Sequence, residues 1–184
     1  MTQPGQSLTS EELRSTARLV LFTFLLTFIA ARVLVYCIMA RDIPDLFVHV
    51  GGTHIHHLNY GIFLLSGVGA YLLFVLPTGV CHTIAAVVYG VGLALTFDEF
   101  GMWLHLGGSY WQRASYDAVV VLASGLALLA YAPRLTAFRE RRMLGAVAAS
   151  LCILVFFGFW SRAWKYAGPA LTPKLEQLEE RGPK

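Results

Sequence analysis

The charged residues of this chain fall into short islands, and the stretches between them are about as long as a lipid bilayer is thick. Most of the charges lie at residues 1–18, 41–45, 134–142 and 162–184. Five apolar stretches lie between these islands, three of them in the long gap from 46 to 133, at approximately 17–40, 54–76, 82–106, 115–133 and 143–163. A hydrocarbon core of about 30 Å needs roughly 20 apolar residues per helix. Backbone inside it must satisfy its own hydrogen bonds, which a helix does. The pattern predicts an all-α integral membrane protein, a bundle of about five transmembrane helices. Composition agrees, since 57% of the 184 residues are hydrophobic and 14% are charged, against about 25% charged in soluble domains.

The same islands divide the chain. Residues 1–16 read as a cytoplasmic N-terminal segment, 17–163 as one transmembrane domain and 164–184 as a polar C-terminal tail. Thr9 and Glu12 have the spacing of a capping box before the first helix. The first apolar run is longer than the 7–15-residue core of a cleavable signal, so a retained helix is expected. Cys37, Cys81 and Cys152 are unpaired in number and scattered. They give no disulfide framework and read as small buried residues.

Orientation follows from the arginines. Arg134, Arg139, Arg141 and Arg142 stand against Glu140 alone in the fourth loop, which the positive-inside rule places in the cytoplasm. The N-terminus is then cytoplasmic too, and loops 41–53 and 107–114 and the C-terminal tail face outward. Trp103, Trp111, Trp160 and Trp164 all fall near the outer interface, where amphipathic rings gather. The net charge of +3 gives no sign of nucleic-acid binding.

Two motifs interrupt the apolar pattern. Gly51–Gly61 reads GGTHIHHLNYG, and 95–106 reads LTFDEFGMWLHL. Stretches two and three form a hairpin about Pro77-Thr78-Gly79, so their depths can be matched. His54 then lies level with His105, His57 about one turn from Glu99, and Gly61 level with Asp98. At 1.5 Å per residue both acids sit roughly 10–12 Å below the outer helix end. Acids at that depth are costly and mark candidate functional sites. Ala86, Gly90 and Ala94, with Gly61, Gly67 and Gly69 opposite, permit close helix approach.

Imidazoles and carboxylates converging from two helices suit a divalent transition metal, zinc first and iron second. The expected ligands are His54, His57, Asp98 and His105, with His56 in reserve, and Glu99 is the candidate general base. Arg32 reaches the depth of Asp98 in the first helix, where an ion pair would neutralise the acid without a metal. Asp117 is a candidate for the site's periphery, although a helix N-terminus also favours an acid. His82 lies at the other end of the hairpin, and His49 is expected in the outer loop.

The segments HHLNYGIFLL, GVGLALTFDEFGMWL and SYWQRASYDAVVV together resemble a family of small bacterial integral membrane proteins. Its pattern runs HHxxxG, LxxDEF, YW and S-x-D-A. Here these fall on His56, His57, Gly61, Asp98, Glu99, Phe100, Tyr110, Trp111, Ser115, Asp117 and Ala118. Gly-Gly-Ser precedes Tyr110 where the family commonly has an acid. The resemblance covers about residues 50–122. It implies a multi-pass protein of the bacterial inner membrane and supports the choice of residues, and it brings no activity with it.

The leading expectation is a membrane-embedded, metal-dependent hydrolase acting on a lipid or amphiphile at the outer leaflet. No HExxH is present, which excludes a zincin-type protease. A non-haem iron oxidase is a weaker alternative, because the histidines are too few for a histidine-rich di-iron centre. A metal-ion or proton carrier needs polar residues across the whole bilayer, and the inner halves of stretches two and three are poor in them. A second copy in an oligomer could supply such a path. A non-enzymatic structural protein built on Arg32 is the remaining alternative. Membrane lipids are partners in each case.

Overall fold

The computed structural model describes residues 9–44, 46, 48–50, 53–105, 107–131 and 139–182, with backbone alone at 49–50, 53–54, 139–146 and 148–150. Among the described residues six helices carry the fold: α1 (Ser10–Met39), α2 (His57–Phe74), α3 (Gly79–Asp98), α4 (Phe100–Leu104), α5 (Arg113–Tyr131) and α6 (Arg139–Arg181). A two-residue hairpin, β1 (His49–Val50) against β2 (Thr53–His54), is antiparallel with His49 opposite His54. Among the described residues four helices, α1, α2, α3 and α5, are long and apolar enough to cross a membrane. The fifth predicted stretch, 143–163, falls inside α6. The described chain is helical and has the four long apolar helices of a membrane bundle.

Local chemistry explains the first helix end. Thr9 Oγ accepts from the Glu12 N–H at 3.3 Å while Glu12 Oε2 accepts from the Thr9 N–H at 2.8 Å, so the capping box predicted from sequence is formed. The predicted hairpin between α2 and α3 is also present. Its turn holds Leu76 and Gly79 at φ 51° and 58°, a region that glycine enters freely.

α3 lies at the centre. Val20 and Phe24 of α1 pack with Ala86, Leu93 and Ala94 of α3 and Val119 of α5. Two glycines let the backbones approach. A Cβ on Gly90 would lie 2.8 Å from the Val20 carbonyl oxygen on α1. One on Gly61 would lie 2.5 Å from the Thr96 amide nitrogen on α3. The mean face of the bundle is apolar, with Phe63, Leu73 and Phe74 at 76%, 74% and 84% exposure, as lipid-facing side chains are. Cys81 and Cys152 are exposed on it too, and Cys37 is half-buried. The expectation of buried cysteines fails because lipid accepts a small apolar side chain as readily as a core does.

Two elements depart from their predicted lengths. The stretch 82–106 is not one helix. α3 stops at Asp98, Glu99 takes φ −104° and ψ 17°, and α4 restarts at Phe100. The break is held from α5, where Ser115 Oγ accepts the Gly101 N–H at 2.9 Å. A Cβ on Gly101 would lie 2.7 Å from the Gln112 Cβ, so α4 turns closely against the start of α5. The predicted C-terminal tail, 164–184, is helical through Arg181, and its last two residues lie outside the described residues. α6 runs on to Arg181 through Pro169 and Pro173, and its end packs Leu175 and Leu178 against Val35, Met39, Tyr110 and Trp111.

Candidate functional site

Three structural ends meet at one buried point. α1 contributes Arg32, the α3–α4 break contributes Asp98 and Glu99, and the start of α2 contributes His56 and His57. Arg32, Asp98 and Glu99 are 9%, 0% and 2% exposed. The break matters here. Neighbours on an unbroken helix point about 100° apart, whereas Asp98 and Glu99 both reach His57.

Arg32 is the hub. Its Nε lies 2.6 Å from Asp98 Oδ1, held by charge without an aligned hydrogen bond. Its two terminal nitrogens donate to the Tyr110 and Asp98 carbonyl oxygens. The guanidinium lies 4.9 Å from the Tyr116 ring centroid, 5.5 Å from Phe28 and 5.7 Å from Trp111. Aromatic faces attract a cation, more so when water is excluded. The bundle therefore offers Arg32 a carboxylate, two carbonyls and three rings.

Glu99 faces the other way, toward α2. Its Oε2 accepts the Leu58 N–H at 3.0 Å, and its Oε1 lies 3.2 Å from His56 Nδ1. His56 is the N-cap of α2 and makes no side-chain cap of its own, so Glu99 supplies that cap from another element. A carboxylate is favoured there by the free amides and the helix dipole.

His57 stands between the acids. Its Nδ1 lies 3.8 Å from Asp98 Oδ2 and 3.8 Å from Glu99 Oε1. These separations are too long for a hydrogen bond. His57 Nδ1 and Asp98 Oδ2 are both buried without a hydrogen-bond partner.

The structure thus brings together five of the residues singled out in the sequence: Arg32, His56, His57, Asp98 and Glu99. His105 is turned elsewhere. Its Nδ1 lies 2.9 Å from the Gly101 carbonyl oxygen and 2.7 Å from Gln112 Oε1. The expected shared face with Asp98 needed an unbroken helix from 98 to 105, which the break at Glu99 removes. Asp117 joins α5 to α6 instead of the cluster. It accepts from Trp160 Nε1–H at 2.7 Å and from Arg113 Nε–H at 3.1 Å, and Arg113 also donates to Ser161 Oγ at 3.3 Å. His54 lies in β2, and its side chain is outside the described residues. Among the described residues, no group of three or more His, Cys, Asp or Glu side chains is arranged to hold a metal ion.

Sequence reasoning named Tyr110 and Trp111 only as motif and belt residues and gave Glu179 no role, yet these three close this end of the bundle. Tyr110 and Trp111 cover Arg32. Above them Glu179 of α6 accepts from Ser109 Oγ at 2.6 Å and from the Tyr110 N–H at 3.4 Å. No periodicity or spacing connects Glu179 with Ser109, 70 positions away. Removing the acceptor strands two donors, at about 1–2 kcal/mol for such hydrogen bonds. Glu179→Ala is therefore expected to speed tryptic cleavage after Lys174, and an unchanged rate would show that the contact does not hold the α6 end.

No protein-family model, no curated protein and no solved structure matches the chain. The functional reading rests on the geometry.

Proposed function

We propose that this chain is a membrane-embedded metal-binding protein and that its use is hydrolytic, on a lipid or amphiphile reaching the end of the bundle where the cluster lies. One observation carries the reading. His57 Nδ1 and Asp98 Oδ2 are buried polar atoms without a hydrogen-bond partner, and Glu99 Oε1 lies at the same 3.8 Å from His57. A buried polar atom left unpaired costs about 1–3 kcal/mol and calls for an ion or water nearby. Tetrahedral zinc, with bonds of about 2.0–2.1 Å, sets neighbouring donor atoms roughly 3.3–3.4 Å apart. Three of the separations within this donor set are 3.2, 3.8 and 3.8 Å, on that scale.

His57, Asp98 and Glu99, with His56, would hold the ion. Bound there, a divalent metal supplies Lewis-acid polarisation of an ester or phosphate oxygen. Arg32 occupies the other oxygen of Asp98 and so aims that carboxylate. Glu99 has two possible roles, ligand and general base, and Glu99→Gln separates them. Loss of the ion makes Glu99 a ligand; retention of the ion with loss of turnover makes it the base.

The second reading is a polar junction that ties three helices without a metal. The Arg32–Asp98 pair and the capping of α2 by Glu99 favour it. Metal content of the detergent-purified chain, made without a histidine tag or chelator, decides between them. About one equivalent of zinc or iron is expected, lost in His57→Ala and Asp98→Asn and kept in His105→Ala. A metal-free wild type after incubation with zinc and iron would leave the junction reading in possession.

A further inference from the structure

We infer that α6 carries a binding site for the headgroup of an anionic phospholipid, formed by Arg162 and Lys165. The inference does not depend on the metal reading. Arg162 and Lys165 are one turn apart, both exposed, and neither has an ion-pair partner among the described residues. They border a hollow of about 570 Å³ that Gly158, Ser161 and Tyr166 complete. Gly158 keeps the floor open, since nothing lies within 4 Å of where its Cβ would be.

The helix places an apolar strip directly below these cations. Leu151, Val155 and Phe159 recur every four residues, are 61%, 52% and 71% exposed, and so share a face of α6 that Arg162 and Tyr166 continue. Phe159 and Arg162 are three residues apart, about 4.5 Å along the axis. A molecule lying on this strip meets hydrocarbon first and two positive charges at its end. That order matches a phospholipid, with acyl chain against Leu151–Phe159 and phosphate at Arg162 and Lys165. The neighbouring tryptophans fix the depth. Trp160 and Trp164 lie 5.9 Å apart with their rings tilted by 42°, and the Trp160 N–H is tied to Asp117, as befits rings at a membrane interface. The charges specify an anionic lipid over a zwitterionic one, because a choline or ethanolamine group would bring a cation beside two others.

The test is lipid retention by the full chain. Protein reconstituted in vesicles of phosphatidylcholine and phosphatidylglycerol at four to one, about the proportion that gives a moderate negative surface, is extracted in mild detergent. Bound lipids are then counted by native mass spectrometry. Phosphatidylglycerol is expected to be enriched over its share, and each basic residue near a charged surface gives about a fivefold preference. Arg162→Gln with Lys165→Gln should bring retention to the vesicle composition. Arg162→Lys with Lys165→Arg should preserve the enrichment, which separates loss of charge from loss of fold. Lys174→Gln should leave it unchanged. Enrichment that survives in the double glutamine variant, or that is absent in the wild type, overturns the inference. Displacement by millimolar inorganic phosphate would assign the cations to a free anion and overturn the lipid.

Discussion

Replacing Arg32 with alanine is expected to cost about 3–5 kcal/mol, the usual penalty for stripping one partner from a buried ion pair. The reason is what stays behind. Asp98 is fully buried, and without Arg32 its carboxylate faces only His57 at 3.8 Å. The Tyr110 and Asp98 carbonyls lose their donor in the same step. Lysine should not rescue the site, because an ammonium cannot serve a carboxylate and two diverging carbonyls as a planar fork does. Arg32→Met combined with Asp98→Leu should recover much of the loss, since apolar pairs of similar volume often replace buried ion pairs at little cost. Unfolding in mixed micelles, followed by tryptophan fluorescence, measures all four proteins. A loss below about 1 kcal/mol in Arg32→Ala, the range of exposed pairs, would mean that this contact does not act as a buried ion pair.

That network was partly legible in the sequence, and the reason is geometric. Charge-free stretches fix helices, and an antiparallel hairpin fixes relative depth. Those two facts bring His57 to Asp98 and Glu99, and the depth of Arg32 brings it to Asp98. What failed was continuity. A single helix from 82 to 106 would set Asp98 and His105 on one face, but the contact of Gly101 with Ser115 breaks the helix at Glu99. His105 then belongs to Gln112. The same break assigns His56, a reserve candidate in the sequence, to Glu99. Periodicity describes a helix from within and carries no information about a hydroxyl on the next one. Glu179, and the contact of Tyr110 and Trp111 with Arg32, escaped for a related reason, because each is a long-range contact between a loop and a helix.

The closest of those contacts between helices gives the other large effect. Gly61→Ala is expected to destabilise the bundle by about 1–3 kcal/mol, the range for overfilling a packed interface. The added carbon would lie 2.5 Å from the Thr96 amide nitrogen and 2.8 Å from the Gly92 carbonyl oxygen. Both are backbone atoms of α3, so no rotamer change relieves them and the helices must separate. Gly90→Ala meets the Val20 carbonyl oxygen of α1 at 2.8 Å and should cost a similar amount. Gly67→Ala, with open space around its Cβ, should be neutral or slightly stabilising, since alanine is the better helix former by about 1 kcal/mol. The contrast isolates packing from propensity. Gly61 also lies one helical turn beyond His57, so parting α2 from α3 there moves His57 away from Asp98 and Glu99. If the metal reading holds, Gly61→Ala lowers metal retention while Gly90→Ala, which parts α1 from α3 well below the cluster, does so less. Equal stability losses with equal metal retention in the two variants would show that the α2–α3 contact does not position the site.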